Sequence, residues 1–292
     1  MSPNNKPEDR YFGLQEPDTE AAAEVSKPFQ VKSPLLRECL AEFIGTMVLI
    51  MFGDGVVAQV KLGGGNHGDY LSINLCWGLG VLFGIHASGG VSGGHLNPAV
   101  TTTLFLYGRT ERRKVIPYII AQVLGAFVAA FFVWAIYYPL LDPVSLDRES
   151  TRSIFATYPY NDDVSIGTCF LTEVVGTALL LGGIFALGDE LNEPASPYTK
   201  PGAVALLVTG IGMAFGLNTG YAINPARDFG PRFFSLCAGW GSDVFTLRDY
   251  YFWVPIVGPI LGGGIGGGIY IGLVEYHHPR EYHYPPDRRS HV

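Results

Sequence analysis

The chain has 292 residues, of which 48% are hydrophobic and only 15% are charged, with a formal net charge of −7. Soluble domains carry about 25% charged residues, so this composition excludes an ordinary soluble protein and indicates a membrane protein. No basic stripe of the kind that binds nucleic acid is present, and we expect no nucleic-acid partner.

The predicted elements begin with a polar tail. Residues 1–34 are rich in Pro, Asn, Asp and Glu, a composition typical of a disordered segment. After the tail come six stretches that are long and apolar enough to cross a bilayer as helices. They are residues 36–60, 71–90, 115–138, 167–187, 202–219 and 252–275. The basic run GRTERRK (108–114) belongs in the cytosol by the positive-inside rule. With six spans both termini then lie in the cytosol, including a short C-terminal tail at 279–292.

Two further apolar runs, LNPAVTTTLFLY (96–107) and INPARDFGPRFFSLCA (223–238), are too short to cross. A helix from Asn97 to Tyr107 covers about 15 Å, or half a membrane. We therefore predict two re-entrant half-helices. One follows the second span and enters from the cytosolic side, whereas the other follows the fifth span and enters from outside, so the two point at each other.

The two halves of the chain repeat each other. AEFIGT (41–46) opens the first span and TEVVGT (172–177) opens the fourth, and the two Asn-Pro-Ala motifs are 224 − 97 = 127 residues apart. Three spans in each half is an odd number, so the second half is inverted. The predicted fold class is an all-α membrane protein with six transmembrane helices and two re-entrant half-helices, in repeats of about 35–138 and 166–278. Such repeats place a solute site near the bilayer midplane.

Each Asn-Pro-Ala motif predicts the start of a helix, because Asn is a favoured N-cap and Pro a favoured first helical residue. Two helix starts that meet in mid-membrane bring two positive dipole ends together, which opposes cations. The loops before them, 86–96 and 216–223, are predicted to expose backbone carbonyls to a lumen. The residues concerned are Asn97, Pro98, Ala99, Asn224, Pro225 and Ala226 in the motifs and Gly93, Gly94, His95, Leu96, Gly220 and Ala222 in the loops.

The second motif alone is followed by charges, Arg227 and Asp228. An intramembrane charge is a candidate for function, and we expect Asp228 to offset Arg227 in part. Alternatively, the Arg227 side chain reaches the outer interface, where we also expect Asp54. An ion-coupled transporter uses inverted repeats too, so that class stays open here. We see no catalytic or metal-binding constellation and expect no enzyme activity, metal or cofactor.

Over about residues 35–278 the sequence resembles the major intrinsic protein family, the aquaporins, and within it the aquaglyceroporin branch. The resemblance rests on AEFIGT, INLCWGLGV (73–81), SGGHLNPAV (92–100), GYAINPARDFGPR (220–232) and HHP (277–279), with Gly212 and Asp228 as marks of the glycerol-conducting branch. It implies a homotetramer in the lipid bilayer of the plasma membrane, with one pore per protomer. Each pore would pass glycerol, water, urea and small polyols and exclude ions and protons.

The resemblance also implies residue roles. Trp77, Gly212, Tyr221 and Arg227 match the narrow outer filter, and Glu42 and Glu173 resemble buried acceptors that hold the re-entrant loops. Gly212 would leave room for a carbon skeleton, which speaks against the alternative of a water-selective aquaporin. Trp77 and Tyr221 offer an apolar wall, and Arg227 offers donors. Tyr221 replaces the Phe usual in bacterial glycerol facilitators, and we expect its hydroxyl to add polarity to the filter.

Overall fold

The computed structural model describes residues 30–141 and 148–279, so the predicted tails fall almost entirely outside the described residues. The described part is built from helices joined by loops and short 3₁₀ turns. The helices are α1 Pro34–Leu62, α2 Tyr70–Ser92, α3 Pro98–Leu106, α4 Arg112–Tyr137, α5 Arg148–Thr151, α6 Ile166–Leu187, α7 Lys200–Phe215, α8 Pro225–Ser235, α9 Asp243–Tyr250 and α10 Val254–Leu273. Helices α1, α2, α4, α6, α7 and α10 correspond to the six predicted spans, and α3 and α8 to the two half-helices.

The fifth span is shorter than the sequence predicts. Five stretches of the described chain are long and apolar enough to cross a membrane, and α7 is not among them because it has only 16 residues, about 24 Å of helix. The prediction of helix up to residue 219 was wrong. The chain leaves the helix at Gly216 and continues without helical structure up to Asn224.

The first re-entrant loop is also shorter than predicted. Helix α2 continues to Ser92, and the chain turns at Gly93 with φ 93°, a conformation that glycine adopts without steric cost. The expectation that residues 86–92 expose backbone carbonyls outside a helix was therefore wrong. Only 93–97 form the loop that leads into α3.

Glycines allow the helices to pack with their backbones close together. A Cβ atom at Gly84 of α2 would lie 2.7 Å from the carbonyl oxygen of Gly45 on α1. In α10, Cβ atoms at Gly262 and Gly266 would collide with the backbone of Val174 and Ala178 on α6. The run GGGIGGG (262–268) thus serves close helix packing, as small residues do in membrane proteins.

Equivalent contacts in the two halves establish the inverted repeat. A Cβ at Gly125 of α4 would collide with the carbonyl oxygen of Phe43, and one at Gly262 of α10 would collide with that of Val174. Phe43 and Val174 are 174 − 43 = 131 residues apart, the spacing that separates the two matching Glu residues. Each half therefore packs its third span on its first in the same way, and the predicted repeat is present.

Candidate functional site

The half-helices α3 and α8 meet at their N-terminal ends. The Asn97 side-chain amide donates to the Ile223 carbonyl oxygen at 2.8 Å, and the Asn224 amide donates to the Leu96 carbonyl oxygen at 2.9 Å. Each Asn Oδ1 also caps its own helix, accepting from the backbone N–H of Ala99 or Ala226. Because a side-chain amide has two N–H groups, each Asn keeps one donor beyond this reciprocal pair.

The residue before each Asn lies in the left-handed region of backbone space. Leu96 has φ 54° and Ile223 has φ 41°, an arrangement that costs about 1–3 kcal/mol for a residue with a side chain. Such strain persists only where the surroundings fix the conformation. The two positions are equivalent in the repeat, since 223 − 96 = 127.

Two fully buried carboxylates face these loops. Glu42 on α1 accepts from the backbone N–H groups of His95 and Leu96 at 2.9 and 2.8 Å. Glu173 on α6 accepts from those of Ala222 and Ile223 at 2.9 and 2.7 Å. A buried carboxylate that receives several hydrogen bonds is well satisfied, so each Glu ties its loop to the first helix of its own repeat.

A cavity of about 670 Å³ runs past this junction. Its lining includes Trp77, Tyr221 and Arg227, the two motif residues Asn97 and Asn224, and the cationic residues Arg109 and Lys200. The loop residues Gly93, Gly94, His95, Leu96 and Ala222 also line it, whereas Gly220 does not and helps only to shape its loop. The motif prolines and alanines are buried behind the surface of the cavity.

Three of the four filter residues named from the resemblance come together, and the fourth lies behind them. The Arg227 guanidinium sits 4.3 Å from the centre of the Trp77 ring, and Tyr221 lines the cavity beside them. A Cβ at Gly212 would collide with Tyr221 Cζ and with Asn74 Oδ1. The space left by Gly212 is thus filled by the Tyr221 ring, and Gly212 itself does not line the cavity. That Gly212 leaves room for a carbon skeleton stays a prediction.

The Tyr221 hydroxyl is also placed differently from the expectation. It is buried and has no hydrogen-bond partner among the described residues. Its oxygen therefore adds little polarity to the surface of the cavity, and the ring presents mainly its apolar part.

The sequence does not show which acidic residue pairs with Arg227. Arg227 is buried, with 6% of its surface exposed, so it does not reach the outer interface. Its Nη1 lies 3.4 Å from Asp54 Oδ1, and Asp54 is fully buried rather than interfacial. Asp228 pairs instead with Arg232, at 2.7 Å, so the expected offset of Arg227 by its neighbour was wrong.

Arg232 is a residue that the sequence reasoning missed. It is almost fully buried and donates to the carbonyl oxygens of Val244 and Thr157 as well as to Asp228. Asp228 in turn accepts from the Thr157 backbone N–H at 2.8 Å. This network fixes the loop before α6, which carries Thr157, to α8. The spacing of Asp228 and Arg232, four residues apart on a helix, was a signal for it.

His95 lies beside the cavity with its ring near Thr101 Oγ1, at 3.1 Å, and against Tyr118. The His95 side chain therefore contacts a Thr hydroxyl, while its backbone N–H donates to Glu42. Gln122 of α4, which the sequence reasoning also missed, donates to Glu42 and to Thr101. The loop at 93–97 is thereby joined to α1, α3 and α4.

The segment that carries the HHP motif (277–279) packs against the loop that follows α6. His278 Nε2 lies 2.6 Å from Asp189 Oδ2, and the Tyr270 hydroxyl donates to the same oxygen at 2.8 Å. Burial by itself would raise the pKa of Asp189, but the hydrogen bonds from His278 and Tyr270 outweigh it and lower that pKa. The end of α10 is therefore held close to Gly188, which lines the cavity.

Paired half-helices beside a cavity, held inside a bundle of apolar helices, define an integral membrane channel protein. The chain belongs to the major intrinsic protein family, whose model matches residues 30–270. Human Aquaporin-9 is 43% identical over 267 residues, covering 88% of this chain and 90% of its own. The glycerol uptake facilitator protein of Escherichia coli is 44% identical over 258 residues, covering 85% and 91%. The X-ray structure of the aquaglyceroporin from Plasmodium falciparum superposes with a TM-score of 0.74 at 36% identity, covering 81% of this chain and 95% of that one.

Proposed function

We propose that this protein is a channel through which glycerol, water and other small neutral solutes diffuse passively across a membrane. The observation that carries the proposal is the reciprocal pair of hydrogen bonds between Asn97 and Ile223 and between Asn224 and Leu96, made at the wall of a continuous cavity. The names of the relatives, a glycerol uptake facilitator and an aquaglyceroporin, support the choice of solute.

The filter in this proposal combines an apolar wall with a polar one. The carbon atoms of a polyol lie against Trp77 and Tyr221, while Arg227 donates hydrogen bonds to the hydroxyl groups. Deeper in the cavity the remaining N–H groups of Asn97 and Asn224 donate to the solute. An ion gains no replacement for its hydration shell at the apolar wall, and cations are further opposed by the two helix N-termini.

The supporting residues hold this geometry. Glu42 and Glu173 fix the two loops, and Asp228 fixes α8 to the loop before α6. The motif prolines start both half-helices without an unsatisfied N–H. We further propose that residues 35–278 form the channel domain, that the tails lie in the cytosol, and that the protein assembles as a homotetramer in the plasma membrane. It needs no cofactor in this proposal and catalyses no reaction.

The first test is flux into liposomes that contain the purified protein. Stopped-flow light scattering should show glycerol and water permeability above that of empty liposomes, with rates linear in the gradient and no ion current. Saturable uptake that depends on a proton gradient would instead favour an ion-coupled transporter. Water flux without glycerol flux would favour a water-selective channel.

The second test concerns the filter. Because any side chain at position 212 would meet the Tyr221 ring, the double variant Gly212→His with Tyr221→Ala exchanges a large apolar group for a polar one. Glycerol permeability should fall more than water permeability. Gly210→Ala is the matched control, since a Cβ at Gly210 meets no atom within 4 Å. Equal loss of both permeabilities in the double variant would contradict the assignment of the filter.

A further inference from the structure

A buried carboxylate stands behind the filter. Asp54 of α1 is fully buried, and its Oδ1 lies 3.4 Å from Arg227 Nη1. Its Oδ2 is buried with no hydrogen-bond partner among the described residues. Asp54 does not line the cavity, so it acts on a solute only through another residue.

The contacts of Arg227 explain why this carboxylate matters. Besides Asp54, the same Nη1 lies 3.4 Å from the Phe155 carbonyl oxygen, and the guanidinium rests on the Trp77 ring. These contacts hold the cationic group against the wall of the cavity. The adjacent carboxylate, Asp228, is hydrogen-bonded to Arg232 and Thr157 instead. Within residues 30–141 and 148–279, Asp54 is therefore the acidic residue that pairs with Arg227.

We propose that Asp54 is a positioning residue that sets the selectivity of the filter by drawing the Arg227 guanidinium toward α1. This inference rests on the proposed function. An Arg side chain is long and has several rotatable bonds. Without Asp54 only the Phe155 carbonyl oxygen and the Trp77 ring hold the guanidinium, and it is freer to extend into the lumen. The anchored guanidinium keeps the passage wide and leaves its other N–H groups aimed at the solute.

The consequence differs between solutes of different size. A water molecule passes beside a mobile Arg227 and accepts a single hydrogen bond. Glycerol must present its hydroxyl groups to fixed donors while its carbon atoms contact Trp77 and Tyr221. Loss of the anchor therefore lowers glycerol permeability more than water permeability, and longer polyols suffer more than glycerol.

The test measures the ratio of glycerol to water permeability in liposomes that contain Asp54→Leu or Asp54→Asn. Both values come from the same vesicles, so the ratio does not depend on how much protein inserts. Asp54→Leu should lower the ratio by about tenfold, the value of one hydrogen bond between charged groups. Asp54→Asn should have a smaller effect, because its Oδ1 remains an acceptor without the charge.

The matched control is Asp162→Asn, which removes an exposed negative charge from the loop that precedes α6. Its ratio should equal that of the wild type. A ratio in Asp54→Leu within about twofold of the wild type, well under the value of a charged hydrogen bond, would overturn the inference. If the wild type itself passes no glycerol, the proposed function fails instead, and the two failures are thereby distinguishable.

A second comparison tests whether Asp54 acts through Arg227. The double variants Asp54→Leu/Arg227→Leu and Asp54→Asn/Arg227→Leu both lack the ion pair and leave no buried charge alone, which favours folding. Their ratios should be equal, because position 54 has no guanidinium left to place. A difference as large as that between the single variants would show a direct effect of position 54 and overturn the positioning role.

Discussion

The two re-entrant segments are built from the same parts and carry different charges. Each has an Asn cap, a left-handed residue before it, and a buried Glu that accepts two loop N–H groups. After the Asn-Pro-Ala motif, however, the first segment continues with Val100, whereas the second continues with Arg227. The shared parts make the junction of the half-helices, and the parts that differ place a cation, Arg227, directly after the second motif only.

The difference extends to how firmly each half-helix is fixed by its surroundings. In α8, Arg232 donates to Asp228 and to two backbone carbonyls, that of Val244 in α9 and that of Thr157 in the loop before α6. The equivalent position in α3 is 232 − 127 = 105, where Phe105 has 40% of its surface exposed. The segment that carries Arg227 thus depends on a buried ionic network, whereas α3 has no charged residue at the equivalent position and is held through the hydroxyl of Thr101.

The largest effect is expected at this network. Arg232→Met should lower the free energy of unfolding by about 3–5 kcal/mol, because it leaves the Asp228 carboxylate buried without its cation. Phe105→Met, at the equivalent position, should change it by less than about 0.5 kcal/mol, as exposed substitutions usually do. Thermal unfolding of both variants in detergent measures the contrast. Equal destabilisation would show that the two half-helices are held alike.

A medium effect is expected at the glycines beneath the two loops. A Cβ at Gly45 would lie 2.6 Å from Leu96 Cδ2 and 2.9 Å from the Gly84 carbonyl oxygen, whereas one at Gly176 would lie 3.0 Å from Ile223 Cγ2. Gly45→Ala should therefore destabilise by about 1–3 kcal/mol, the usual cost of overpacking. Gly176→Ala should cost less, since only a side-chain methyl group must move. The same unfolding measurement decides, and a larger loss in Gly176→Ala would contradict the packing described.

The smallest effect is expected at the Tyr221 hydroxyl. Tyr221→Phe removes a buried oxygen without a hydrogen-bond partner in the described part of the chain, so no hydrogen bond is lost. The ratio of glycerol to water permeability should change by less than about twofold, a difference below the value of one hydrogen bond. A large shift in this ratio would show that the hydroxyl contacts the solute after all.

Much of the fold follows from the sequence, because hydropathy, motif spacing and the Asn-Pro pairs all report on the chain locally. The inverted repeat was predictable from Glu42 and Glu173 and from the two motifs. The ends of α2 and α7 were not, since a Gly-rich segment can continue a helix or leave it, and tertiary contacts decide which.

The residues that form the site were predictable from the sequence, whereas the residues with which they interact were not. Trp77, Tyr221 and Arg227 are brought together as the resemblance implies. The pairing of Arg227 with Asp54 joins residues 173 positions apart, and no local pattern distinguishes Asp54 from the nearer Asp228. Likewise, only the packed structure shows that the Tyr221 ring fills the space beside Gly212.

The central claim is that solutes pass through the cavity between the two Asn residues. Val204 of α7 lines this cavity, whereas Leu206, two residues further on, is 72% exposed on the outer face of the helix. A thiol-directed methanethiosulfonate reagent should block glycerol and water flux in liposomes that contain Val204→Cys, and a reducing agent should restore both. Leu206→Cys and the wild type should be unaffected. Full flux through modified Val204→Cys would show that solutes take another route and would contradict the account.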